Sequence, residues 1–140
     1  MKNLNSLFIE HDLYDKRALE EYADRHLVRL RVSERYPHLG ILHYRDDVIF
    51  DKKWNDFNKA CRGVVVDFQN KKILSHPFTK FFNLGEAEAP SINELEGRPF
   101  WATEELDGSM IIIFWDEVTK QFIASTKGSI DSEQGIYATS

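Results

Sequence analysis

Apolar positions change their spacing along this chain, and each change marks an element. Over residues 16–26 the side chains Leu19, Tyr22 and Ala23, with Leu27 just beyond, recur at helical spacing behind Asp15 as a cap. That pattern predicts one amphipathic helix near the N-terminus. From Leu27 the period drops to two, with Val28, Leu30 and Val32 alternating with Arg29 and Arg31. A strand is the reading, with a longer helix as the alternative. A turn at 36–40 leads to a second strand at 41–44, and residues 54–60 read as a polar connection. Residues 63–68 form a strong strand pattern, turned at 69–72 and answered at 73–75, which predicts a hairpin. The stretch 78–84 is dense in aromatic residues, and 85–98 is acidic and turn-rich, a surface loop or short helix. Residues 109–115 are almost continuously apolar and β-branched, which predicts a buried strand. A turn at 116–120 returns the chain along 121–126, and Asp131 or Ser132 can cap a last helix. A helix near the start with strands after it gives an α+β class with a mainly antiparallel sheet.

Composition narrows the function classes. At 140 residues the chain is one domain or a fragment of one, long enough to bury roughly two-thirds of its unfolded surface. Its 42% hydrophobic and 29% charged residues are ordinary for a globular protein. No apolar run approaches the ~18 residues of a membrane span. The first eight residues carry neither a sustained apolar segment nor a small-residue cleavage site, so a cytoplasmic location is expected. Cys61 is the single cysteine, which excludes an intramolecular disulfide and a thiolate metal cluster and marks it as a small buried residue. The five histidines, His11, His26, His38, His43 and His76, have no zinc-like spacing and read as structural or exposed. A net charge of −5 means that any contact with nucleic acid is local. Arg25, Arg29, Arg31 and Arg35, and Lys52, Lys53 and Lys59, offer such patches but read first as scattered surface charge.

Four short segments carry the candidate chemistry: Cys61-Arg62-Gly63, Thr79-Lys80-Phe81-Phe82-Asn83-Leu84-Gly85-Glu86, Glu105-Leu106-Asp107-Gly108-Ser109 and Thr126-Lys127-Gly128-Ser129. Taken singly, each has an ordinary explanation. Glu104 and Glu105 are a solvated acidic pair before an Asp-Gly turn, Arg62 is a surface charge, Phe81 and Phe82 are core, and Lys127 sits at a hairpin end. In this order, with strand-like sequence between them, they resemble the N-terminal part of the adenylyltransferase domain of ATP-dependent RNA ligases of the phage T4 RNA ligase 1 type. The resemblance spans roughly 61–134, including Lys127-Gly128-Ser129-Ile130-Asp131-Ser132-Glu133-Gln134, and is loose over the first sixty residues.

The resemblance implies a nucleotidyltransferase (ATP-grasp-like) ligase fold, with ATP and Mg as cofactors and RNA ends as partners. A lysine takes AMP from ATP, AMP passes to an RNA 5′-phosphate, and a 3′-hydroxyl displaces it. The lysine must be neutral to attack, which nearby positive charge and desolvation favour. Glu105 stands at the position of that lysine. A carboxylate is a poor nucleophile toward phosphate and repels a triphosphate, so no stable enzyme–AMP is expected. By the same resemblance Arg62 holds a phosphate with its forked guanidinium, and Lys80 and Lys127 meet phosphates. Phe81 offers a face to adenine, Thr103 and Glu104 border the nucleotide, and Asp107-Gly108 sets the strand entry beside the ribose. The family's later metal-binding glutamate and Lys-x-Lys strand are expected beyond Ser140, in a downstream or separate C-terminal ligase segment. Two other readings stand beside a disabled ligase segment. One is a non-catalytic module binding nucleotide or RNA ends through Arg62, Lys80 and Lys127; the other is a protein-interaction domain using the acidic loop 86–96.

Overall fold

The computed structural model describes residues 3–140. Helices α1 (Leu4–Glu10) and α2 (Lys16–Arg25) precede strands β1 (Val28–Val32) and β2 (Leu39–Tyr44). Two short helices, α3 (Asp46–Phe50) and α4 (Asp56–Ala60), lead into β3 (Arg62–Asp67) and β4 (Lys72–Ser75). After a long irregular stretch holding α5 (Ile92–Leu95), strands β5 (Ile112–Asp116) and β6 (Gln121–Ser125) form a hairpin, and α6 (Glu133–Thr139) follows. Among the described residues there is one four-stranded sheet, in the order β1-β2-β3-β4, and one two-stranded sheet, β5-β6. Every pairing is antiparallel. Mixed helix and antiparallel sheet is the expected α+β class.

Strand alternation builds two cores, one on each face of the larger sheet. Leu42, Val64 and Val66 join Phe8, Leu13 and Leu19 from the helical layer. Their immediate neighbours Ile41 and Val65 join Phe114 and Ile123 of the β5-β6 hairpin, with Ile130. Because successive residues of a strand point to opposite faces, the apolar runs of β2 and β3 are buried on both sides. The result is three layers: helices, sheet, hairpin.

Local chemistry fixes the boundaries. The Asp15 carboxylate accepts from the Ala18 backbone N–H at 2.9 Å and starts α2 as expected. Leu27, at φ 59°, stops it, so the strand reading beyond it holds. Asp67, fully buried, accepts from the backbone N–H groups of Gln69 and Asn70 and from the Asn70 side chain, which folds the β3-β4 turn.

Three expectations need correction. Helix α1, with Asn3 as its cap, lies ahead of the single N-terminal helix that the periodicity marked. The polar connection at 54–60 contains α4, because Asn55 and Asn58 form a reciprocal capping box that starts a helix too short to show a period. The strand expected at 109–115 begins only at Ile112 and is buried on one face: Ile112 and Phe114 face the core, whereas Ile113 and Trp115 are exposed.

Candidate functional site

A groove of about 1220 Å³ runs between the larger sheet, the loop 103–110 and the turn 126–129. Arg62 opens β3 on its floor. Gly63, next to it, has φ +104°, and a Cβ there would stand 2.5 Å from Ile112 Cδ1 and 3.2 Å from Lys127 Cα. Only glycine supplies this backbone and this clearance together. The Arg-Gly pair therefore lets the hairpin and the Lys127 turn close against the sheet. The turn itself is tied by Thr126 N–H donating to Ser129 O at 3.0 Å. Asp131 then pins it across the fold, accepting from Ser33 Oγ at 2.7 Å and from the Glu34 N–H at 2.9 Å. Capping of α6 falls to Ser132, which accepts from the Gly135 N–H, so the two candidate caps divide the work.

Most of the residues singled out in the sequence meet here. Arg62, Phe81, Thr103, Glu104, Glu105, Asp107, Gly108 and Lys127 all line the groove. The Arg62 guanidinium lies over the Phe81 ring at 5.0 Å, and that ring is 56% exposed. Phe82 packs edge-on against Trp54 at 5.4 Å, so the aromatic pair divides between groove and fold. Lys80 is the member outside the lining. Its Nζ donates to Phe81 O at 2.8 Å and lies 4.8 Å from the Phe82 ring centroid. Glu105 sits on a loop whose residues 103–110 are all exposed, and Gly108, at φ +135°, makes the turn of Asp107-Gly108.

His43 and Arg31 also line the groove. Spacing rules gave His43 no role, yet its position two residues beyond the buried Ile41 on β2 was the available signal, because that alternation aims both at the hairpin side. The pairing shifts there, Leu42 with Val64 and His43 with Arg62, so Gly63 is the extra residue of a bulge in β3. His43 Nδ1 donates to Tyr44 O at 2.7 Å, leaving Nε2 buried without a partner. Burial lowers its pKa from the ordinary histidine value, and Lys127 and Arg62 push the same way against the Tyr44 carbonyl and Asp46. Cys61 is fully buried behind Arg62, and burial pushes its thiol up, away from reactivity.

Two cations and an exposed aromatic ring around one groove can neutralise phosphate oxygens and stack a flat ring, the two demands that a nucleotide makes. Among the described residues no three metal-ligating side chains converge. Residues 60–139, more than half of the chain, match the model of a protein family described as RNA ligase, and the chain belongs to this family. A protein named RNA ligase from Rhodothermus phage RM378 is 33% identical over 101 residues, covering 57% of this chain and 22% of that protein. A Thermovibrio ammonificans protein with a provisional RNA ligase name is 40% identical over 53 residues, covering 38% of this chain and 14% of that protein. The chain thus spans between a seventh and about a fifth of the curated relatives it matches.

Proposed function

We propose that this chain is the N-terminal part of an RNA ligase adenylyltransferase domain whose groove binds nucleotide and RNA-end phosphate without forming a covalent enzyme–AMP. One observation carries the reading: segments separated by up to 65 positions in sequence, from Arg62 to Lys127, place two cations, the Phe81 ring and the Glu105 loop around one groove. Arg62 would grip phosphate oxygens from the floor and Lys127 from the opposite turn, while Phe81 offers its open face to the base. Lys80, held on Phe81 O, would have to release that carbonyl to join them.

Glu105 occupies the wall position at which the family's lysine would attack. Its carboxylate adds negative charge beside the phosphates and no competent nucleophile, so binding persists and adenylyl transfer does not. The three carboxylates Glu104, Glu105 and Asp107 are exposed, and no converging set of ligands accompanies them among the described residues. The divalent ion that accompanies ATP in the family would therefore draw little of its shell from this chain. Retention of Arg62 and Lys127 beside Glu105 favours a binding role over a surface for protein partners. Helix α5, in the acidic stretch 86–96, buries no residue, so that loop is open to a downstream or separate ligase segment.

Labelled ATP with a divalent metal tests the reading. The chain should bind nucleotide reversibly and carry no covalent label. Arg62→Ala and Lys127→Ala should each weaken binding about tenfold or more, the size of a charge-assisted hydrogen bond. Covalent label on the unmodified chain would overturn the assignment of Glu105. Label on Glu105→Lys, alone or joined to a downstream ligase segment, would place the defect at this residue.

A further inference from the structure

The arginines of β1 carry the cationic floor of the groove on to the edge of the sheet. Arg29 pairs with His43, and His43 pairs with Arg62, so the three stand in one row across β1, β2 and β3. Directly opposed residues share a face, and neighbouring strands lie about 4.8 Å apart, which sets Arg29 two strand spacings from Arg62. Arg31 stands on the same face of β1, two residues or about 7 Å from Arg29. Both arginines are exposed, and among the described residues no strand pairs with the outer edge of β1. A smaller pocket lined by Arg29, Arg45 and Asp46 adjoins the groove, and Arg31, His43 and Gly128 border both. His43 is a spacer in this row, since its Nδ1 is held on Tyr44 O and its Nε2 is buried.

The two guanidinium groups lack partners of opposite sign. Arg29 forms no hydrogen bond or ion pair among the described residues, and Arg31 reaches only Gly128 O, at 3.5 Å. Their neighbour Arg45 is the contrast, neutralised by Asp24 and Asp47 at 3.1 and 3.0 Å. The carboxylates nearby are Asp46, Glu20 and Asp24 around Arg29, and Glu34 and Asp131 beside Arg31. Asp24 is taken by Arg45, and Asp131 by Ser33 and the Glu34 N–H. Charge on an edge strand also hinders edge-to-edge pairing, a task that either sign performs. Two arginines on the face of the groove, unpaired while the arginine beside them is paired, fit an anion that arrives from outside. Continuity with the groove says which anion. A strand whose end lies at Arg62 and Lys127 must lay its next phosphates on a neighbouring surface. The loop wall carries Glu104, Glu105 and Asp107, whose repulsion turns such a strand toward β1.

We infer that Arg29 and Arg31 form a second phosphate subsite, which holds a single polynucleotide strand on its way from the groove over β2 to the open edge of the sheet. The inference rests on the groove being a nucleotide and RNA-end site, and it adds the path of the strand beyond its end and the residues that carry it. Guanidinium groups on phosphates read neither sugar nor base, so this subsite serves RNA and DNA alike.

The test measures binding of AMP, and of short single-stranded RNA and DNA of one sequence with 5′-phosphate ends, to the full chain at low salt. Arg29→Ala should weaken both oligonucleotides about three- to tenfold, the worth of one phosphate contact, and lower the salt slope by roughly 0.7, the single-strand value. AMP binding should stay unchanged in this variant. Arg31→Ala, at the border of the groove, should weaken the oligonucleotides more than AMP. Arg29→Lys keeps the charge and should retain most of the affinity. Lys71→Ala, in the turn at the far end of β3, is the control for charge alone and should change neither. Equal losses in Lys71→Ala and Arg29→Ala would overturn the inference, as would oligonucleotide binding unchanged in Arg29→Ala. Loss of AMP to the same degree as the oligonucleotides in Arg29→Ala would make the arginine a support of the groove and overturn the subsite. An acidic peptide of equal charge, bound as tightly as the RNA and weakened alike by Arg29→Ala, would overturn the strand in favour of a general anion patch. AMP bound with the oligonucleotides no tighter would overturn the inference and leave the groove reading intact; failure of AMP and oligonucleotides together would remove both.

Discussion

The layered body of helices, sheet and hairpin and the segment 76–111 both carry many large apolar residues, yet they treat them in opposite ways. In the body Phe8, Leu19, Leu42 and Val65 are fully buried; in the segment Phe78, Phe100 and Leu106 are mostly exposed and Trp101 is 96% exposed. The difference lies in pairing. Each strand of the body has a hydrogen-bonded neighbour, and β2 and β3 have a layer against both faces, whereas α5 is the sole regular element of the segment. Hydrophobic residues become a core where regular elements hold them in packed layers. The segment also carries Glu105, so the family's central motif lies on the least supported part of the chain.

The largest expected effect separates the two regions directly. Phe8→Ala should cost about 3–5 kcal/mol in urea unfolding, the usual value for emptying an aromatic core site. Trp101→Ala should stay within about 0.5 kcal/mol. Equal costs would break the comparison and mean that the segment is packed in solution.

Gly63→Ala sharpens it at the junction. An added Cβ meets Ile112 and the Lys127 backbone at a φ that L-residues avoid, so a loss of about 1–3 kcal/mol is expected. Nucleotide binding should fall with it, because the Lys127 turn must move. Unchanged stability with unchanged binding would show that the turn does not depend on this approach.

The smallest effect is read from the pH dependence of stability. Burial pushes the Asp116 carboxyl up, but hydrogen bonds from Thr119 and His38, the latter at 2.9 Å, outweigh it and hold the pKa below the usual aspartate value. A group held lower in the fold binds fewer protons folded than unfolded, so its stabilisation is complete above the ordinary pKa of about 4 and fades as pH falls through the folded value. Asp116→Asn should lower stability at pH 7 and flatten the decline below pH 4. An acid limb of unchanged slope would exclude Asp116 as its source.

Much of the fold was legible because its signals are local. Asp15 capping α2, the alternation in β1, and the β3-β4 and β5-β6 hairpins each depend on residues a few positions apart. Helix α4 escaped notice because five residues are too few to show a period, and its capping box joins two asparagines rather than the usual Ser or Thr with Glu. The one-sided burial of β5 escaped because an apolar run does not say which of its faces has a neighbour. At the site, Arg62, Phe81, Glu105 and Lys127 could be named from motif order alone, but His43 could not. Its place in the groove depends on how β1 and β3 flank it.

The amino-acid sequence by itself determined the periods, the caps, the turns and the order of four motifs that place the chain in the RNA ligase family. Tertiary structure decided which side of Val64, Val65 and Val66 meets which core, how closely Lys127 approaches Gly63, and which side chains share the groove. Those outcomes rest on contacts such as Asp131 with Ser33, 98 positions apart. Composition and spacing constrain only what neighbouring residues can do; which distant surfaces meet is set by the packing that buries the most apolar area while leaving the fewest polar groups unpaired.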